Sequence, residues 1–425
     1  MVNVAARATF RDVFSVRQFR ALWLAQVLSV AGDRLALVAL VVLVFTRTHS
    51  PLMTAAAYAV TYLPWLIGGL LLSGLADRYR RRGVMIGCDV VRCALTAIMA
   101  LPGVPLVVLV LLLFAVTTLA PPFESARAAV LPGILPGDRY VVGTAVARLT
   151  NQIGFVAGFA SGGVTVELAG PRMALAADAA TFAVSALLIR FGVRAGARAA
   201  GHREKRGPGA IRVIFASRQL RILTLLAWLA AFYVVPEGLA VPYAHQLGGG
   251  AVMAGLLLAA MPTGMGVGVV AFGRLVAPER RMRVMAPVAA CCCLPLLACW
   301  LHPDLAATMT IFAATGVLSA YQLAANAAFV RALPDRFRGQ AFGLVMTGFS
   351  LGQSAALVAA GALAQELPVT SVIAISGAVG TVAAAVLAAL WSRAAAGGLA
   401  VADPPVAARR GRPTPSAEGS EEVQM

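Results

Sequence analysis

Twelve apolar runs, each close to the length of a bilayer crossing, dominate this chain of 425 residues. Their approximate limits are 20–45, 52–75, 84–102, 104–120, 141–168, 172–191, 220–244, 250–275, 284–301, 305–329, 340–365 and 369–391. A helix rises about 1.5 Å per residue, so roughly 20 apolar residues cross the hydrocarbon of a membrane. The runs are too long for barrel strands and lack period-two alternation. Composition agrees: 60% of residues are apolar and only 12% charged, about half the charge of an average soluble domain. A soluble enzyme of this length has no interior large enough to hide so much apolar surface. The expected fold class is an all-α membrane protein with twelve transmembrane helices. The first run is expected to stay in the protein rather than act as a cleaved signal. It exceeds a signal's apolar core in length and carries Asp33-Arg34 in its middle.

Charge gives the runs an orientation. Lys and Arg number 35 against 18 Asp and Glu, a net charge of +17. If the amino terminus lies in the cytoplasm, 30 of the 35 bases fall in cytoplasmic segments. Arg47 and Arg172 fall in outer loops, and Arg34, Arg92 and Arg148 lie inside spans. This is the asymmetry that sets membrane orientation. It places both termini in the cytoplasm of a cell inner-membrane protein and accounts for the basic balance without nucleic acid.

The chain also repeats. Arg17-Gln18-Phe19-Arg20 precedes the first span and Arg218-Gln219-Leu220-Arg221 the seventh. Leu135-Pro136-Gly137-Asp138-Arg139-Tyr140 precedes the fifth and Leu333-Pro334-Asp335-Arg336-Phe337 the eleventh. Basic turns ending in Val84-Met85 and Val284-Met285 lead into the third and ninth. Matches at one long spacing imply two homologous halves, and six spans per half keep them parallel in the membrane. The expected division is a six-helix bundle over 1–192, a basic cytoplasmic linker over 193–219, a second bundle over 220–392 and a disordered tail over 393–425.

Between spans two and three lies Ser73-Gly74-Leu75-Ala76-Asp77-Arg78-Tyr79-Arg80-Arg81-Arg82. It resembles the G-x-L-a-D-r-x-G-r-r loop of the major facilitator superfamily, with Ser73 and Arg80 in place of the two glycines. The resemblance covers about residues 14–392. It implies that Asp77, Arg78 and Arg81, with Asp89 and Arg92 on span three, form a cytoplasmic gate. In span five, Gly154, Gly158, Gly162 and Gly163 resemble the antiporter motif of drug exporters, with Phe159 where that motif has proline. The resemblance places spans two, five, eight and eleven at the seam between halves. Small residues there let backbones approach closely, so these four are expected as seam glycines. Softer likenesses at Phe19 to Leu40, Pro122 to Leu135 and Val235 to Pro242 are similar to twelve-span drug exporters of the macrolide-efflux type.

A charge inside the membrane is costly unless paired or hydrated, and so marks function. Seven qualify: Asp33, Arg34, Asp89, Arg92, Arg148, Asp178 and Glu237. Glu237 stands between Pro236 and Gly238, where proline removes a helix donor. The repeat brings Asp33 within one turn of its counterpart. Glu237 and Asp33 are therefore the expected carriers of a coupling proton. Asp89 and Arg92, three residues apart, are expected to neutralise each other in the gate. Gln322, Asn326, Phe232 and Tyr233 are expected to contact substrate.

The six cysteines lack metal spacing and read as buried apolar residues. Gly348-x-Ser350-x-Gly352 and Gly266-x-Gly268-x-x-Ala271 match hydrolase and dinucleotide patterns, but both lie inside membrane helices. No metal, cofactor or enzymatic activity is expected. The expectation is a monomeric secondary transporter, with the lipid bilayer and protons as partners. It exports a small lipophilic substrate by proton antiport, the alternative being an uptake permease for a nutrient.

Overall fold

The computed structural model describes residues 8–64, 79–194, 209–333 and 337–396. Ten helices among them are long and apolar enough to cross a membrane. One of these, Asp138–Gly192, is two helices, because Gly170 turns the chain with φ 84° and ψ 161°. Only glycine adopts that backbone without strain. These are spans five and six. Span two begins at Pro51–Ala59, capped by Ser50; the remainder of its expected run, from residue 65, lies outside the described residues. The twelve runs are thus all represented, and no strand occurs among the described residues.

Several spans are broken where the sequence demands it. Span four is Leu106–Thr118 followed by Ala120–Ile134, and span ten is Leu305–Leu318 followed by Tyr321–Ala332. The breaks open at Leu119 and Ser319, the same spacing that relates the sequence repeats. Span seven is cut into Arg218–Trp228, Ala230–Tyr233, Val235–Gly238 and Ala240–Gln246. Pro236 has no N–H for the carbonyl of Phe232 one turn earlier. The Ser376 hydroxyl of span twelve donates to that carbonyl instead, at 2.6 Å. An orphaned carbonyl in a membrane is costly, so such a substitute partner is required.

Spans one, three, four, five and six pack on one another, as do spans seven to twelve. The most extensive contacts joining these groups are span five with span eight (Ala251–Leu275) and span two, which packs on span one, with span eleven (Arg338–Glu366); spans one and two also touch span seven. The end of the bundle bearing the arginine-rich segments is called here the basic end, the other the far end. Every residue of span one from Ala36 to Phe45 is buried. A helix apolar all round is a surrounded helix, so the far half of span one is enclosed on all sides. From Arg17 to Leu35 the same helix alternates between buried and accessible positions. The two groups therefore close around span one at the far end and leave it more open toward the basic end.

Candidate functional site

Helix geometry decides which glycines serve the seam. Residues four apart lie nearly above one another, and the next residue points about 100° away. Gly154, Gly158 and Gly162 form one row facing span one, inside their own half. A Cβ on Gly158 would lie 2.7 Å from the Ala31 carbonyl oxygen, and one on Gly162 would lie 3.0 Å from the Leu35 Cα. Gly163, one position on, meets the other half. Its Cβ would lie 2.6 Å from the Ala251 oxygen and 3.1 Å from the Gly255 Cα. Of the four expected seam glycines, only Gly163 faces span eight; the other three pack span five onto span one. Gly264 and Gly268 of span eight likewise face span ten, against Ala313 and Val317. The seam glycines that sequence reasoning missed are Gly255 and Gly361, the latter against Leu52 and Ala55 of span two.

Several polar ties cross the seam, among them Ser354 of span eleven donating to the Ala59 carbonyl of span two at 3.1 Å. The Glu167 carboxylate accepts the Ala251 N–H at 2.6 Å, capping the first turn of span eight from the opposite half. A carboxylate there meets unpaired amides and the positive end of the helix dipole. The Gln365 amide donates to the Ser50 hydroxyl at 3.2 Å. Deeper in, the Tyr58 hydroxyl donates to Glu237 Oε2 at 2.6 Å, and the Tyr62 hydroxyl reaches the same oxygen at 3.4 Å. Tyr58 and Tyr62 are one turn apart on span two, so both address one carboxylate on span seven. Arg34 lies near enough for its charge to act on Glu237 and both tyrosines. Its guanidinium stacks 3.8 Å above the Phe155 ring.

Asp33 faces elsewhere. Its Oδ1 accepts from Arg92 Nη2 at 2.5 Å, with the Arg92 side chain 2% and the Asp33 side chain 27% exposed. Arg92 also donates to the Ser29 hydroxyl at 3.2 Å and lies 4.1 Å from the Phe182 ring centre. The expected Asp89–Arg92 pair does not form, because Arg92 reaches across to span one. Asp89 instead accepts from Ser185 of span six at 2.6 Å. Asp178, also buried, accepts from Thr181 at 3.2 Å. Asp33 and Glu237 thus occupy separate polar clusters, one within the first half and one spanning both.

The other expected residues divide as follows. Asp77 and Arg78 lie outside the described residues. Arg81 donates to the Ala129 carbonyl at 2.6 Å and Arg82 to the Arg190 carbonyl, so the basic loop clasps the ends of spans four and six. Cations at helix C-termini are favourably placed. Gln322 donates to the Tyr233 hydroxyl, joining two of the expected substrate contacts, while Phe232 is half-buried and Asn326 exposed. Arg148 is exposed rather than turned toward Asp89 and Arg92. Span five instead joins span one through Gln26, which donates to Asn151 at 2.6 Å and accepts from Arg127 at 2.6 Å. Tyr58, Tyr62 and Glu167 went unmarked in the sequence. Two tyrosines one turn apart in an alanine-rich span were the available signal.

The pattern of the Major Facilitator Superfamily matches residues 22–301 and 238–418. The MFS-type transporter YkuC of Bacillus subtilis (strain 168) is 28% identical over 184 residues; the aligned stretch covers 42% of this chain and 42% of that protein. The nucleoside transporter NupG superposes with a TM-score of 0.69 at 14% identity, covering 87% of this chain and 99% of that one. A bacterial homologue of the human lysosomal transporter Spinster, in an inward-facing and occupied conformation, superposes with a TM-score of 0.69 at 14% identity, covering 89% and 96%. At such identities the superpositions speak for the fold alone. The family assignment rests on the sequence match, which takes in both groups of spans: this chain is a multi-pass transporter, not an enzyme, and belongs to the Major Facilitator Superfamily.

Proposed function

We propose that the protein exports a small lipophilic compound in exchange for protons, with Glu237 as the coupling carboxyl. The observation that carries this is the bond from Tyr58 of span two to Glu237 of span seven, which crosses between the halves. An ionised carboxylate accepts hydrogen bonds about twice as strongly as a neutral group. Ionised Glu237 therefore favours the far-closed state, in which both tyrosines reach it. Once the far end opens, the tyrosines withdraw, and the carboxyl is left partnerless in a low-dielectric wall and takes up a proton. A ligand acts on such an equilibrium only through different affinity for the two states, and this carboxyl has it for the proton. Substrate entering from the basic end shifts the balance by displacing the tyrosines.

In this reading the basic end is cytoplasmic, by the placement of arginines, and the protein is a monomer in the cell inner membrane. Its halves are residues 1–192 and 220–392, joined by the linker 193–219, with a tail over 393–425. The apolar character of spans seven and ten favours a lipophilic substrate over a sugar.

The test is proton movement in proteoliposomes under an imposed pH gradient, with lipophilic antibiotics and dyes added to wild type and Glu237→Gln. Substrate-triggered flux in wild type and its loss in the variant are expected. Flux that survives in the variant removes Glu237 from coupling. Uptake driven down the proton gradient, in the same direction as the protons, makes the protein a nutrient permease.

A further inference from the structure

Inside the first half, spans one, three and six bring Asp33, Asp89 and Asp178 around one arginine, Arg92. Arg92 pairs directly with Asp33, and its charge also acts on Asp89 and Asp178. Asp89 and Asp178 are 0% and 1% exposed. Each keeps one carboxyl oxygen, Asp89 Oδ1 and Asp178 Oδ2, buried without a hydrogen-bond partner. The backbone is shaped to admit Asp178: a Cβ at Gly32, next to Asp33, would collide with Asp178 Oδ1 and Thr181. Arg34 stacks on Phe155 toward span five, and Arg148 is exposed. Glu124 and Arg127 of span four pair with each other at 2.5 Å. Of the other titratable groups of span three, Arg81 and Arg82 bond to carbonyls of spans four and six at the basic end, and Cys88 and Cys93 carry no positive charge. Among the described residues, therefore, no second cation pairs with the three carboxyls.

One guanidinium neutralises one carboxylate. Two further negative charges, each with a single hydroxyl donor, one bare oxygen and no cation of its own, are not sustained in an apolar bundle; such groups take up protons instead. A metal ion would serve as well, but among the described residues no group of three carboxylate, imidazole or thiol side chains converges to hold one. A bound proton also meets the geometry, since each unpartnered oxygen is then a hydroxyl in place of an unpaired anion.

We propose that this cluster is a second proton-binding site, separate from Glu237. Asp89 and Asp178 hold the protons, Asp33 keeps its contact with Arg92, and the partly exposed Asp33 side chain is the route to water. The proposal deepens the proton-exchange reading, but its test requires neither substrate nor Glu237.

The experiment is infrared difference spectroscopy of the full chain in lipid nanodiscs, titrated from about pH 5 to about pH 9, paired with thermal unfolding. Wild type and Glu237→Gln are expected to share two protonated-carboxyl bands that fade as pH rises. Asp89→Asn and Asp178→Asn are each expected to remove one band and to leave the melting temperature at neutral pH close to wild type, because asparagine is neutral like the protonated acid. Asp33→Asn is expected to lower it, because Arg92 loses its counter-ion. Three results overturn the proposal. One is the absence of pH-responsive bands outside Glu237 in wild type. The second is bands that persist unchanged across the titration, which marks sealed structural protons. The third is Asp89→Asn and Asp178→Asn as damaging as Asp33→Asn with no band lost, which marks all three carboxyls as ionised.

Discussion

At the scale of single residues, two carboxylates that look alike in sequence have different surroundings. Asp33 has an arginine within ion-pair distance; Glu237 has two phenols. Seven charges inside apolar runs were legible without coordinates, because each is costly in a membrane unless something answers it. Their partners were not. Arg92 sits three residues from Asp89, and the short-range rule paired them, yet its long side chain spans the gap to Asp33 on another helix. Contacts made across the bundle leave no mark in local spacing. The Tyr58 hydroxyl is one such contact, and Tyr58→Phe isolates it. A hydrogen bond to a charged group is worth roughly 1.5–3 kcal/mol. Tyr58→Phe should therefore shift the equilibrium between facing states away from far-closed by about tenfold or more. Distance distributions between spin labels at the far ends of spans two and eleven report the shift. An unchanged distribution means that Glu237 does not hold the seam.

At the scale of helices, the twelve spans and the break at Pro236 in span seven were foreshadowed by run length and proline, whereas the break in span four and its extension to Ile134 were not. The division of labour among glycines was not. Four glycines in a motif look equivalent, but a single-residue step turns the fourth onto a different neighbour. This separates two substitutions in one helix. Gly158→Val drives a side chain against the Ala31 carbonyl and Arg34 within one half. Overpacking of this kind costs typically about 1–3 kcal/mol, so the melting temperature in detergent should fall. Gly163→Val presses on Ala251 and Gly255 across the halves. The bundle can relieve that contact by opening the far end, so the melting temperature should hold while transport slows. Equal loss of stability in both variants refutes this assignment of faces.

For the molecule as a whole, closure at the far end rests on a few ties between two groups of helices. The sequence repeats led to the expectation that the halves are related and parallel. It gave no sign of which end is closed, since that is a state of the assembly and not of any segment. The Ser50–Gln365 contact lies on that closed rim. A disulfide between Ser50→Cys and Gln365→Cys should arrest transport under oxidising conditions, with recovery on addition of a reductant. Continued transport by the fully cross-linked protein excludes opening at this rim.

The turn at Gly170 bears on how the two halves communicate. Spans five and six meet there with no loop between them, so the pair behaves as a stiff hairpin with little slack at its bend. Span five bears on span eight through Gly163, and span six carries Asp178 into the buried acid cluster. Any push that tilts span five at the seam is delivered through the bend to span six and alters the spacing between Asp178 and Asp33. The hairpin is a lever: its load arm rests on the opposite half of the protein, and its other arm holds a fully enclosed carboxyl beside Arg92. Several flexible residues inserted after Gly170 would let the arms move independently, leaving both clusters intact but no longer acting in step.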